Sequence, residues 1–378
     1  LTKGRVVILS EEKGAFPVLR ITEMKIGLLG LQGSGKTTVF NASTKAKAPV
    51  AARSNGKAEP NVAVVKVLDE RVDRLSELYV PRKTVYATVE FADFVGLTET
   101  PAEEGAFSSP VMGMMKKMDA FALVVRNFDD AVQGPPTPLQ DIRQINDELM
   151  LMDLIAVENR LGNIEKGYKR GQRTESLLNE EKALRRIQDN LNRSRPVRDM
   201  VLSPERAKVI RGFQLLTKKP LMVILNSDET NFGKNSPLMA EIEKDHRAVE
   251  FAGKFEMELS RLEDEEAELF MDDMDIKESA YRRLTNLAYE ILGYISFFTV
   301  GSDEVRAWNI HRGDTALDAA AAIHSDLARG FIRAECFSYD DCLQYGSEKG
   351  VKENGFFRLE GKDYLVQDGD ILNIRFNV

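Results

Sequence analysis

One octapeptide constrains this chain more than anything else in it. Gly30-Leu-Gln-Gly-Ser-Gly35-Lys36-Thr37 matches G-x-x-x-x-G-K-[ST]; the strand-like Met24-Lys-Ile-Gly-Leu-Leu-Gly30 precedes it and a helical stretch, Thr38 to Ser43, follows. Strand, glycine loop and helix in that order separate the motif from a chance turn. Glycines let successive backbone N–H groups turn to one side, making an anion-binding nest with a helix N-terminus behind it. The expected phosphate-cradling residues are Gly33, Ser34, Gly35, Lys36, Thr37 and Thr38. Lys36 neutralises the β- and γ-phosphates, and the Thr37 hydroxyl ligates Mg²⁺.

Two further segments suit the same chemistry. Thr84 to Asp93 reads as a strand, and Asp93-Phe-Val-Gly96 ends it with D-x-x-G. Asp93 is expected to hold a Mg²⁺ water and the Gly96 N–H to sense the γ-phosphate, as Mg²⁺-side groups do in phosphoryl transfer. Later, the buried-strand run Leu221–Leu225 leads into Asn226-Ser-Asp-Glu229. Guanine-specific loops read N-K-x-D, whose Asp accepts two hydrogen bonds from guanine. Here the Lys is absent and Glu229 stands in the fourth position, which relaxes guanine specificity; in a shifted register Asp228 reads guanine instead. Leu97 occupies the place of the water-orienting Gln that follows D-x-x-G in many GTPases, so intrinsic turnover is expected to be slow.

The length of 378 residues implies two or three domains. No apolar run approaches the ~18–20 residues of a membrane span. Two cysteines, Cys336 and Cys342, make no disulfide framework, and three scattered histidines make no metal site. These features suit a cytoplasmic protein. The breaker Gln133-Gly-Pro-Pro-Thr-Pro138 ends the first α/β region. Beyond it, Ile142, Ile145, Leu149 and Met152, and then Leu154, Val157, Leu161 and Ile164, keep helical spacing. A second helix is expected over Thr174–Arg193, so the pair reads as an antiparallel arm. Between Lys166 and Arg198 ten Lys/Arg face four acids, a local positive excess in a chain of net charge -8. A basic arm tip suits phosphate backbones, with Arg185 and Arg186 in it. Near the end, Tyr364-Leu-Val and Ile371–Phe376 read as strands about an Asp368-Gly369 turn. Trp308 reads as core.

The phosphate loop, Glu59-Pro-Asn-Val62, Val89–Gly96, Val124-Val-Arg126, Asn226-x-x-Glu229, Gly330-Phe-Ile-Arg-Ala334, Val305-Arg-Ala-Trp308 and Gly361–Val378 together resemble the Obg-like ATPase (YchF) family, from Met24 to the end. The resemblance implies an α/β, Ras-like P-loop NTPase domain (24–137 and 207–294), an inserted helical coiled-coil arm (138–206) and a C-terminal β-grasp TGS domain (295–378). It implies slow, Mg²⁺-dependent hydrolysis of ATP in preference to GTP, with Asn226, Glu229 and Gly253 at the base. It also implies a ribosomal or ribosomal-RNA partner reached through arm and TGS domain, with no membrane and no DNA sequence recognition.

The chain departs from the family at the switches. The family loop reads G-x-P-N-V-G-K-S, whereas Gln32-Gly33-Ser34 stands here, so the loop Asn is lost and Gly33 takes its place. Lys57 replaces a switch Thr, and Glu104–Ser109 replaces a glycine-rich segment. Three readings follow: a translation- or stress-linked ATPase switch, a nucleotide-gated binding module that has lost hydrolysis, or a GTPase reading guanine through Asp228. Residues 1–23 are expected to be an N-terminal extension, not native or an extra strand, and carry no function here.

Overall fold

The computed structural model describes residues 24–44, 60–94, 109–262, 264–273, 276 and 278–377. Lys57, Glu59, Gly96, Leu97 and residues 1–23 lie outside them. In chain order the first elements are β1 (Met24–Leu29), α1 (Lys36–Thr44), β2 (Asn61–Lys66), α2 (Glu70–Tyr79), β3 (Lys83–Val85), β4 (Thr88–Asp93), α3 (Ser109–Met115), β5 (Ala120–Asn127), α4 (Pro138–Lys169), α5 (Glu175–Leu191), α6 (Pro204–Ile210), β6 (Leu221–Ser227), α7 (Ser236–Ile242) and β7 (Arg247–Phe251). There follow α8 (Gly253–Leu259), α9 (Asp264–Asp273), α10 (Ala280–Leu292), β8 (Tyr294–Thr299), β9 (Glu304–His311), α11 (Ala316–Ile323), α12 (Ser325–Arg329), β10 (Phe331–Ser338), α13 (Tyr339–Tyr345), α14 (Glu348–Glu353), β11 (Arg358–Glu360) and β12 (Asp370–Phe376).

The chain divides into two compact units, Lys25–Ala63 with Glu90–Ile291, and Val64–Val89 with Leu292–Val378. Residues 64–89, expected within the nucleotide-binding part, thus group with the C-terminal residues. The cause is local pairing: β3 runs parallel to β9, with Lys83 opposite Glu304 and Val85 opposite Arg306. The single strand expected over Thr84–Asp93 is therefore two, interrupted at Tyr86 and Ala87, with β3 and β4 in different sheets.

The first unit is built on a six-stranded sheet of order β2-β4-β1-β5-β6-β7. β1, β5, β6 and β7 pair in parallel. All eight residues of β5 and all seven of β6 are buried, as the continuous apolar runs of a parallel sheet covered on both faces require. The two stripes of α4 serve two different cores. Ile142, Ile145 and Leu149 join Leu123, Val125, Leu221 and Val223 of the sheet. One helical length further on, Val157, Leu161 and Ile164 join Ala183, Leu184, Ile187 and Leu191 of α5. Only the second stripe makes the expected helix–helix contact. Between them Asp153, 3% exposed, accepts from Leu216 N and Thr217 N, both at 2.8 Å, and from Thr217 Oγ1 at 2.7 Å. These charge-assisted bonds tie the start of the arm to the segment that returns the chain to the sheet.

The second unit carries a sheet of order β11-β10-β12-β8-β9-β3. Trp308 is buried in its core, and its Nε1 donates to Thr299 Oγ1 at 3.0 Å. β12 matches the expected strand, but Tyr364–Val366 is not one. Its backbone bonds go to the start of α11, with Ala316 N donating to Tyr364 O and Val366 N to Asp314 O, leaving a single bridge from Thr315 to Leu365. Cys336 and Cys342 are buried free thiols.

Helix α2 ends on Val80 in the left-handed region (φ 45°, ψ 56°), with its side chain 80% exposed. A β-branched residue there bears strain that glycine does not, and almost no packing offsets it. Val80→Gly is therefore expected to raise stability by about 1 kcal/mol, read as a higher midpoint in urea with an unchanged slope.

Candidate functional site

In parallel sheets with helices on both faces, ligands bind beyond the carboxyl ends of the strands, where the chain leaves in opposite directions from neighbouring strands. The segments expected to carry chemistry converge there. The phosphate loop leaves β1, Asp93 ends β4, Asn226 lies in β6, and Gly253 follows β7 at the start of α8.

In the phosphate loop Gly33 and Gly35 take left-handed backbone, φ 75° and 87°. The loop enters α1 at Lys36, two residues earlier than the expected Thr38, so the positive end of the helix dipole lies directly behind it. Lys36 Nζ donates to Gly30 O at 2.7 Å and to Leu31 O at 3.0 Å, which folds the ammonium over the loop. Thr37 Oγ1 donates to Asp93 Oδ2 at 2.9 Å, and Asn61 Nδ2 approaches the same oxygen at 3.5 Å. Thr37 and Asp93 are thus brought together as expected. Asn61, in the segment that the sequence singled out only for its resemblance, joins them.

Asp93 is fully buried, and its Oδ1 has no hydrogen-bond partner among the described residues. Burial pushes its carboxyl above the ordinary carboxylate value, against the Thr37 hydrogen bond, the Lys36 charge and Asn61. A buried, partnerless carboxylate oxygen beside a hydroxyl is a hard-oxygen donor set of the kind Mg²⁺ takes. The residues present fit that ion.

Because the folded chain binds this proton more tightly than the unfolded one, the contribution of Asp93 to stability without metal is fully present below the ordinary carboxylate pKa. It falls as pH rises through the raised folded value. Mg²⁺ requires the carboxylate, so metal binding runs the other way. Stabilisation by Mg²⁺-nucleotide is expected to weaken as pH falls toward that raised value. Thermal melts across about pH 4 to 8 check this, and Asp93→Asn is expected to reduce the pH dependence, leaving that of the nucleotide's own phosphate.

The residues expected at the base divide. Asn226, 4% exposed, donates from Nδ2 to Ser34 O at 2.9 Å and accepts at Oδ1 from Gly253 N at 3.1 Å. It therefore joins the phosphate loop to the loop after β7. A Cβ on Gly35 would collide with its Nδ2, and one on Gly253 would lie 2.6 Å from its Oδ1, so both positions need glycine. Glu229 is exposed. The Asp228 carboxylate is engaged in its own turn, accepting from Thr230 Oγ1 at 2.6 Å, Asn231 N at 2.8 Å and Asn231 Nδ2 at 2.9 Å. These bonds hold its carboxyl below the ordinary value.

Sequence reasoning missed the supports of this loop. Glu250 accepts from Ser227 Oγ at 2.6 Å, Asn235 Nδ2 at 2.5 Å and Gly233 N at 3.2 Å. Its position in β7, opposite Leu225, was the one available sign, since a carboxylate within a sheet needs partners.

A family model described as 50S ribosome-binding GTPase matches residues 25–160, and the YchF-GTPase C-terminal model, described as a protein of unknown function (DUF933), matches 294–377. The chain is 37% identical over 364 residues to the ribosome-binding ATPase YchF of Bacillus subtilis (strain 168), covering 93% of this chain and 99% of that one. The chain belongs to the YchF family. Among other YchF proteins it is 38% identical over 363 residues to that of Haemophilus ducreyi, covering 94% of this chain and 99% of the other. The solved Schizosaccharomyces pombe YchF GTPase superposes with a TM-score of 0.81 at 30% identity, over 93% of this chain and 97% of that one. YchF membership fits the architecture: a P-loop α/β sheet, a helical insertion and a distinct C-terminal unit.

Proposed function

We propose that this chain is a ribosome-associated P-loop nucleoside triphosphatase that binds Mg²⁺-ATP in preference to GTP and hydrolyses it slowly. The observation carrying this reading is the Lys36–Thr37–Asp93 cluster at the mouth of the phosphate loop, with a buried Asp93 oxygen that has no partner of its own. Gly33, Ser34, Gly35 and Thr38 supply backbone N–H groups to the phosphates. Lys36 places its charge on the β,γ side. Thr37 and Asp93 hold Mg²⁺, which when bound neutralises charge on the phosphate oxygens. Gly96 is assigned the γ-phosphate contact, and Asn226, Glu229 and Gly253 the base side. Asp228, spent on its own turn, is poorly placed to read guanine, which favours ATP. With Leu97 in place of a polar water-orienting residue, the chain has little to align the attacking water, and turnover is slow.

The test is calorimetric titration with ATP and GTP in Mg²⁺ buffer, followed by multiple-turnover phosphate release. Tighter binding of ATP with slow, sustained release is the expected result. Binding without release would select a nucleotide-gated binding module, and tighter GTP would overturn the base assignment.

The relatives' name of ribosome-binding ATPase supports a ribosomal partner and work in the cytoplasm. The basic residues of the arm do not form one tip. Lys166, Lys169, Arg170 and Arg173 lie at the turn between α4 and α5, whereas Arg193 and Arg195 follow α5, ~25 Å away along a helix of this length. Arg198 is only partly exposed and donates to Asn146 Oδ1 at 2.5 Å. Arg185 pairs with Glu181 at 2.8 Å. The turn is therefore the surface assigned to ribosomal RNA, with the C-terminal TGS-type unit as a second contact. Reversing Lys169 and Arg170 to Glu is expected to weaken ribosome co-sedimentation about tenfold or more and to flatten its salt dependence. Arg185→Glu mainly breaks a surface ion pair and is expected to do less.

A further inference from the structure

Gly33, in the middle of the phosphate loop, offers no side chain to hold the loop's shape. A carboxamide nevertheless occupies the space. A Cβ built on Gly33 would lie 2.6 Å from Gln133 Nε2 and 3.1 Å from both Cδ and Oε1 of the same side chain. Gln133 comes from residues 128–137, between β5 and α4, and its Nε2 donates to Gln32 O at 2.9 Å.

The segment that delivers Gln133 is held in place from beneath. Arg126, 5% exposed at the end of β5, donates from Nη1 to Phe128 O and Gly134 O, both at 2.7 Å, and from Nη2 to Pro135 O at 3.1 Å. Asp130 Oδ1 accepts from Val132 N and Gln133 N, both at 2.9 Å, and Asp130 and Gly134 exchange backbone bonds. Val132, beside Gln133, is 94% exposed. The loop therefore forms no core of its own: its backbone is anchored, and the exposed Gln133 side chain reaches from it to the phosphate loop.

We infer that Gln133 is a positioning residue for the polyphosphate: its carboxamide, supplied by a neighbouring loop, fills the space beside Gly33 and holds the Gln32–Gly33 peptide in its left-handed turn. The inference rests on the phosphate-loop reading above. It acts on the loop whose amides bind phosphate, so it governs affinity for the β,γ end of the nucleotide and leaves base discrimination untouched.

The experiment is a compensation series on the full chain, read by displacement of a fluorescent ADP analogue, by KM and kcat for ATP, and by thermal melting. Gln133→Ala is expected to weaken ADP and ATP about three- to tenfold, the span of one lost hydrogen bond, with KM raised, kcat little changed and the ATP:GTP ratio constant. Gly33→Asn alone is expected to weaken binding as well, because the new side chain meets Gln133. Asn tolerates a left-handed backbone, so the Gly33→Asn/Gln133→Ala double variant is expected to recover wild-type affinity. Unchanged affinity in Gln133→Ala, or a double variant as weak as the sum of its parts, overturns the inference. Lys36→Ala, run alongside, separates the two levels. If it too leaves nucleotide binding intact, the phosphate-loop reading itself fails; if only Lys36→Ala is deficient, the reading stands and the role of Gln133 falls.

Discussion

Lys36→Ala is expected to remove nucleotide retention, with affinity for ATP and ADP in Mg²⁺ buffer falling at least about 100-fold. The ammonium sits over the loop at 2.7 and 3.0 Å from two of its carbonyls, within reach of phosphates cradled by the same residues. A charge-assisted hydrogen bond contributes about 1.5–3 kcal/mol, and Lys36 is positioned to supply more than one. Two such bonds correspond to more than a hundredfold in affinity. The fold should survive, because Lys36 is only half-buried and its methylenes are not part of the core. Unchanged far-UV circular dichroism and a melting point close to wild type, together with no calorimetric binding signal, are the expected pair of results. Binding within threefold of wild type would remove the phosphate-loop assignment.

Asn226→Ala is expected to cost both stability and binding. Truncation strands Ser34 O and Gly253 N, two buried backbone groups whose partner is the Asn226 carboxamide. Each stranded group costs about 1–3 kcal/mol, so a loss of about 2–6 kcal/mol of folding free energy is expected in urea unfolding. The same change frees the phosphate loop from the loop after β7, so ATP affinity is expected to fall about tenfold or more. Gly253→Ala should reproduce much of this from the other side, since its Cβ would press on Asn226 Oδ1. A variant that binds poorly but unfolds like wild type would mean that Asn226 contacts the base without bracing the loops.

The phosphate loop, Asp93 and Asn226 were legible because each motif is local. Its residues lie within eight positions of one another, and a strand or helix boundary fixes their direction. The α4 stripes were legible for the same reason, through their period. Their destinations were not: Leu149 joins the core that holds Val223 and Leu161 the core that holds Leu184, and no spacing on one helix says which core each half enters. The strand read across Thr84–Asp93 had the right composition and the wrong continuity. Propensity reports that Thr, Val, Tyr and Phe suit extended backbone, but it is silent about which sheet supplies the hydrogen bonds. Tyr364–Val366 erred likewise, its backbone groups being claimed by α11.

From the amino-acid order alone came the glycine loop, the strand-ending Asp93, the Asn226 segment after a buried strand and the helical arm, since backbone geometry and chemistry over a few adjacent residues mark each of them. Folding in three dimensions decided what sequence distance conceals. It buried one Asp93 oxygen without a partner, spent Asp228 on its own turn, paired β3 with β9, split the basic residues of the arm between its two ends, and set Gln133 against Gly33 from a hundred residues away. Such contacts form only when packing brings distant segments together, and no local pattern encodes which surfaces will meet.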